Sequence, residues 1–209
     1  MKAIKMQFDT DRVIGLYAPQ HYGKTSIMHY IIEQYTQHIP CYLFDTDHER
    51  LRDYGDLHKN MFFIYQKDLT KSKEEFLNES IDWLVAKKMN MLIVIEDYDK
   101  YLMSRGRSES NSNVYEIASD SRHHNIAIMY STKTPSYIPT TLRLNTNLFF
   151  YGVFKEPLYS KYITQFVNMK DYKKVDKLKH EFLAVDNYDD TTKIVRYNMD
   201  TDILEYPYE

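Results

Sequence analysis

Residues 18–25 read "APQHYGKT" and stand between the apolar run "RVIGLY" (12–17) and the periodic stretch "SIMHYIIEQY" (26–35). A loop that cradles phosphate needs a strand, a tight turn with exposed backbone N–H groups, and a helix whose N-terminus faces the anion. This stretch offers all three in order. Lys24 would carry a movable charge to the β- and γ-phosphates, Thr25 a hydroxyl for magnesium, and Gly23 a close backbone approach. The phosphate-binding segment is therefore Ala18, Pro19, Gln20, His21, Tyr22, Gly23, Lys24, Thr25 and Ser26. Ala18 stands where the usual pattern opens with glycine, a replacement tolerated wherever the position does not require a positive φ. The competing reading is an accidental Gly-Lys-Thr at a helix start. The full spacing in a strand-to-helix context favours the phosphate loop.

Such a loop predicts a second, acidic strand end, because magnesium needs carboxylate help and the attacking water needs a base. "MLIVIEDYDKY" (91–101) provides it. Glu96 is assigned to the magnesium site beside Thr25, and the shorter Asp97 to polarising the water. The order is Glu then Asp, the reverse of the common one, and slow turnover is one consequence to expect. "IAIMYSTK" (126–133) places Ser131, Thr132 and Lys133 where a neighbouring strand would sense the γ-phosphate. Polar residues also end strands simply because strands reach solvent there.

Working outward, short apolar runs alternate with helical periodicity. Strands are predicted at 12–17, 41–45, 61–65, 91–96, 126–132 and 148–154, all continuously apolar, as parallel strands covered on both faces are. Helices are predicted at 24–37, 73–88 and about 112–123. The alternation implies an α/β fold with a central, mostly parallel sheet. After Gly152 the rhythm changes. "EPLYSKYITQFV" (156–167) and "KDYKKVDKLK" (170–179) read as two helices, with Pro157 suited to a first turn. Residues 181–200 read as two strands joined by "NYDD", a terminal hairpin. "SRGRSESNSN" (104–113) reads as a loop inside the domain.

The bulk properties set limits on this reading. The length of 209 residues suits one domain, with a core over about 12–154 and the C-terminal helices and hairpin over 155–209. Apolar residues make up 43% and charged residues 27%, as in soluble globular chains. No apolar run is long enough to span a bilayer, and the acidic turn at "DTD" leaves no signal-peptide core. One cysteine, Cys41, rules out an internal disulfide. A net charge of −3 argues against a wholly basic coat, although a shared pore could still gather basic residues.

From residue 12 to about 200 the order of motifs resembles the HerA–FtsK superfamily of P-loop ATPases, and most of all its viral genome-packaging branch. The most specific stretch is "SRHHNIAIMYSTKTPSYIPTTLRLNTNLFFYGVFKEPLYSKYI" (121–163). It carries an Arg-His pair (Arg122, His123), a strand ending in Thr132, and the segment Pro139, Arg143, Asn145. Lys133 stands where that branch has glutamine. The resemblance implies an additional-strand (RecA/HerA-like) ATPase core with ATP and magnesium as cofactors. It also implies a homo-oligomeric ring around double-stranded DNA, acting at a viral capsid or portal vertex. Such a protein would lie in the host cytoplasm or with the virion and would not insert in a membrane. Asp45 and Asp47, in "FDTDHER", fall where the family's second strand ends in acidic residues.

Rings of this kind complete each site with a neighbour's arginine, since charge developing on phosphoryl oxygens needs a positioned cation. Arg122 is the first candidate, Arg143 the second, with Arg105 and Arg107 behind them. DNA contact is assigned either to Arg105 and Arg107 or to the lysines of 170–179, for which a solvated helix face is the plainer reading. "DHE" (47–49) and His123–His124 lack the spacing of a transition-metal site. Two other functions remain compatible with the residues: a nucleotide or small-molecule kinase, and a nucleotide-binding module that barely hydrolyses.

Overall fold

The computed structural model describes residues 2–3, 10–44, 59–102, 113–176, 178, 180–201 and 203–207. Asp45, Asp47, the "DHE" triplet, Arg105, Arg107, Lys177 and Lys179 lie outside them. The described residues build one ten-stranded sheet in the order β1-β10-β9-β8-β7-β2-β6-β5-β3-β4. Its nucleotide half comprises β2 (Val13–Tyr17), β3 (Cys41–Phe44), β4 (Met61–Ile64), β5 (Met91–Ile95), β6 (Ile126–Thr132) and β7 (Leu148–Tyr151). Every neighbouring pair among these six is parallel. Strand β6 lies between β2 and β5, so one strand is inserted between the phosphate-loop strand and the acidic strand. This is the additional-strand arrangement that the resemblance implies.

The continuous apolar runs are explained by burial on both faces. One face packs Ile27, Met28, Ile31 and Tyr35 of α1 (Lys24–Thr36) over Ile14, Leu43, Val94 and Met129. The other packs α2 (Lys73–Val85), α3 (Asn113–His124) and α4 (Thr140–Asn145) over Val13, Ile93, Ile128 and Phe149. Helix α2 begins at a capping box: Ser72 Oγ accepts from the Glu75 amide while the Glu75 carboxylate accepts from the Ser72 amide. Strand β4, at the edge, is only partly covered.

Two expectations for the C-terminal part need correction. The helix predicted over 170–179 is a single turn, α6 (Met169–Tyr172), because Asn168 caps it and its lysine-rich continuation has almost no apolar face to bury. The preceding helix is shorter than expected, α5 (Pro157–Ile163), with Pro157 in its first turn as anticipated. The hairpin predicted over 181–200 is present as β8 (Glu181–Asp186) and β9 (Thr191–Asn198), and it joins the central sheet. Strand β8 pairs antiparallel with β7, and β10 (Ile203–Tyr206) and β1 (Lys2–Ala3) extend the same sheet. Leu183 and Ile194 join one core, Phe182 and Val195 the other, so period-two burial continues across the junction.

Candidate nucleotide site

All five inner parallel strands point their carboxyl ends to one edge of the sheet, where open α/β sheets hold their ligands. At that edge the chain leaves β2, turns through 18–23, and enters α1. Gly23 caps α1 at φ 94°, a left-handed conformation that admits glycine without steric cost. His21 is also left-handed, at φ 58°. Ala18 is not among the positive-φ residues, which explains why alanine suffices where glycine is usual. Its methyl group needs room, and Gly152 supplies it. A Cβ built on Gly152 would lie 2.7 Å from the Ala18 Cβ and 2.8 Å from the Tyr22 ring.

Within the loop, Ala18 and Tyr22 are buried, Gln20 and His21 are exposed, and Pro19, Gly23, Thr25 and Ser26 are half-buried. Lys24 is 7% exposed, and its Nζ donates to the carbonyls of Ala18 and Pro19 at 2.9 Å each. Burial lowers the Lys24 pKa, and the nearby Asp97, Glu96 and Asp99 oppose that shift. The ammonium is thus folded onto its own loop by two carbonyls, contacts that it can exchange for an anion's oxygens.

Glu96 lies one residue past β5 and is buried. The Thr25 hydroxyl donates to Glu96 Oε1 at 2.9 Å. That separation is about the edge of an octahedron whose metal–oxygen bonds are about 2.1 Å, so the hydroxyl and carboxylate fit magnesium. Among the described residues no group of three or more His, Cys, Asp and Glu could hold a metal ion, and His123 and His124 are exposed.

Asp97 adopts a left-handed conformation, φ 49°, and its amide donates to Ser131 Oγ at 2.9 Å. This bond fixes the acidic strand end against β6. Asp97 Oδ2 lies 3.5 Å from Lys100 Nζ and 4.0 Å from Lys133 Nζ. Lys24, Thr25, Glu96, Asp97, Ser131, Thr132 and Lys133 therefore meet at one edge, as their sequence positions predict. Asp99 belongs to the same group, although the motif reading passed over it. Its carboxylate accepts from Thr132 Oγ1 at 3.2 Å and from Thr134 Oγ1 at 3.3 Å. The visible signal was a third carboxylate in "EDYD", two residues beyond Asp97.

The C-terminal part also reaches the loop, which no motif foretold. Tyr22 donates its hydroxyl to the Glu181 carbonyl at 2.9 Å and packs edge-on against Phe182. The His180 ring nitrogen Nδ1 lies 3.3 Å from the Tyr22 carbonyl.

Of the arginine candidates on described backbone, Arg122 and Arg143, neither is placed at this edge. Arg122 sits on α3 just before β6 begins, so the seven residues of β6, roughly 20 Å of strand, separate it from Lys133. Arg143 stacks on Phe166, its guanidinium carbon 4.2 Å from the ring centroid, and donates to the Tyr162 hydroxyl. Lys170, Lys173 and Lys174 are exposed, and Lys174 pairs with Asp171 at 2.8 Å.

No family model matches the sequence, and no curated protein matches it. Solved structures do match the fold. The DNA-packaging ATPase from Sulfolobus Turreted Icosahedral Virus superposes with a TM-score of 0.70 at 17% identity, over 90% of this chain and 98% of that one. The genome packaging NTPase from Sulfolobus turreted icosahedral virus 2, in complex with ATP-gammaS, gives 0.70 at 19% identity over the same shares. The pCW3 conjugation coupling protein TcpA, solved with ATPgS, gives 0.63 at 17% identity over 86% of this chain and 59% of that one. The chain has the fold of the viral genome-packaging ATPases that its sequence resembles.

Proposed function

We propose that this chain is a magnesium-dependent ATPase that moves double-stranded DNA, packaging a viral genome into a preformed capsid. One observation carries the reading. An inserted strand, β6, brings Lys133 between the phosphate loop and the acidic pair, in a fold shared with a DNA-packaging ATPase over 90% of the chain. In this reading Lys24 leaves the carbonyls of Ala18 and Pro19 for the β- and γ-phosphates. Thr25 and Glu96 hold magnesium, which neutralises charge on the phosphoryl oxygens when bound. Asp97 orients the water that attacks the γ-phosphorus, and Ser131 holds Asp97 in place. A homo-oligomeric ring with double-stranded DNA in its pore, docked at a capsid or portal vertex in the host cytoplasm or on the virion, is the assembly that suits this activity.

A second reading is a nucleotide-binding module that hydrolyses little, favoured by the two ammonium groups that crowd Asp97 Oδ2. Phosphate release by the wild type and by Lys24→Ala, with and without duplex DNA at several salt concentrations, separates the possibilities. The motor predicts release that needs Lys24, rises with DNA, and loses that stimulation as salt weakens phosphate contacts. ATP binding with negligible release under every condition would favour the module. A phosphorylated small-molecule product would favour a kinase. A folded Lys24→Ala variant with unchanged ATP affinity and turnover would remove the phosphate-loop reading altogether.

A further inference from the structure

The phosphate loop and the start of β8 hold each other by two reciprocal bonds. The His180 ring approaches the Tyr22 carbonyl with Nδ1 at 3.3 Å, and the Tyr22 hydroxyl donates to the Glu181 carbonyl at 2.9 Å. A carbonyl can only accept, so Nδ1 carries the proton of the first bond. Both halves of this clasp are themselves fixed. The Tyr22 ring is buried edge-on against Phe182, and Gly152 lies against it. Residues 176–181 close into a compact turn, because the Glu181 amide donates to the Asp176 carbonyl at 3.2 Å and the Asp176 amide to Glu181 Oε2 at 2.9 Å. His180 stands at the end of that turn at φ 52°, in the left-handed region that histidine visits more readily than most residues.

The clasp acts on one peptide plane. In a trans peptide the C=O and N–H point in opposite directions, so a bond that draws the Tyr22 carbonyl towards His180 turns the Gly23 N–H away from it. Gly23 caps α1, and its N–H makes no hydrogen bond among the described residues. It belongs to the donors that a helix N-terminus offers an anion. Nothing intrinsic to Gly23 keeps the plane in this orientation. Turning the plane over would carry Gly23 from φ 94° to about −90°, and glycine accepts both signs. The overturned plane would offer an anion the Tyr22 carbonyl oxygen in place of an N–H. We propose that His180 is a positioning residue of the phosphate loop: its Nδ1–H holds the 22–23 peptide with the Gly23 N–H turned to the phosphates, and the Tyr22 hydroxyl secures the same peptide through Glu181. The proposal rests on the phosphate-loop reading above and makes the first residues of the C-terminal strands part of the nucleotide site.

Equilibrium binding of ATPγS and of ADP to the full chain in magnesium tests it. His180→Ala should weaken both nucleotides about tenfold, the scale of a hydrogen bond to a charged group. His180→Asn should stay within about threefold of the wild type, since its amide N–H can serve the same carbonyl and asparagine also accepts the left-handed conformation. His180→Phe keeps a ring beside Tyr22 but has no donor, and should lose as much as His180→Ala. Tyr22→Phe should weaken both nucleotides in the same direction. The double variant His180→Ala/Tyr22→Phe should lose little more than the weaker of the two single variants, because both residues act on one peptide. Wild-type affinity in His180→Ala, whatever its denaturant midpoint, overturns the proposal while the phosphate loop stands. So does a loss in His180→Asn equal to that in His180→Ala, or strict additivity in the double variant. Failure of the wild type to bind either nucleotide overturns the phosphate-loop reading itself.

Discussion

At Ala18 a single methyl group marks where this loop departs from the usual pattern, and its neighbour Gly152 shows how the departure is accommodated. The two Cβ positions would be 2.7 Å apart if both existed, well inside contact distance. Gly152→Ala should therefore destabilise the protein by about 1–3 kcal/mol, the range for overpacking a core. Adding Ala18→Gly should recover part of that loss, because the Tyr22 ring remains 2.8 Å from the added methyl. Denaturant midpoints of the two single variants and the double variant measure this, and strict additivity would contradict it. The two acidic residues should separate by role. Asp97→Asn should bind magnesium–ATP yet lose at least about 100-fold in turnover, the scale of a lost general base. Glu96→Gln should first raise the magnesium concentration required. Rapid turnover in Asp97→Asn beside a dead Glu96→Gln would reverse the assignments.

The elements are held together by tyrosines to an extent that composition alone did not foretell. Tyr17 on β2 shares a hydrogen bond with Tyr130 on β6 at 2.7 Å, and Tyr130 shares another with Thr146 at 2.8 Å. Tyr22 ties the phosphate loop to β8. Burial raises the pKa of all three, and carries Tyr22 from its ordinary 10.0 to about 12. A folded-state value above the unfolded one means stability that is complete below pH 10 and lost as pH rises through the folded value. Alkaline titration should show tyrosinate absorbance rising together with loss of circular dichroism, starting above pH 10. Tyrosinate formation for these residues in a chain that stays folded would contradict their burial. The periodic apolar positions made α1, α2 and the parallel strands legible, since each pattern reports the face an element buries. The lysine-rich 170–179 segment misled because charge at helical spacing fits a helix, yet with little apolar surface nothing holds more than one turn in place.

On the scale of the molecule, the site at the sheet edge has lysines but no arginine among its described side chains. Arg122 is at the far end of β6, and Arg143 is engaged with Phe166 and Tyr162. A site completed by a neighbouring subunit would make turnover depend on protein concentration. Mixing Lys24→Ala with Arg122→Ala should then restore activity that neither has alone, because one subunit brings the loop and the other the arginine. Arg143→Ala is the second variant for the same mixture. Full turnover in a strictly monomeric preparation, unaffected by DNA, would rule out the ring motor while leaving nucleotide binding intact.

The sequence by itself determined the local chemistry: a strand, a turn with Gly23 at its end, Lys24 and Thr25 at a helix start, and Glu96–Asp97 ending an apolar strand. These are legible because phosphate and magnesium chemistry fix residue types at short spacing. The tertiary structure alone decided that β6 lies between β2 and β5, that Gly152 makes room for Ala18, and that Asp99 accepts from the threonines on both sides of Lys133. It also decided that the C-terminal strands extend the central sheet instead of standing apart. Those relations join residues far apart in the chain, where pairing and packing are chosen by which faces must be buried together and not by any neighbour in sequence.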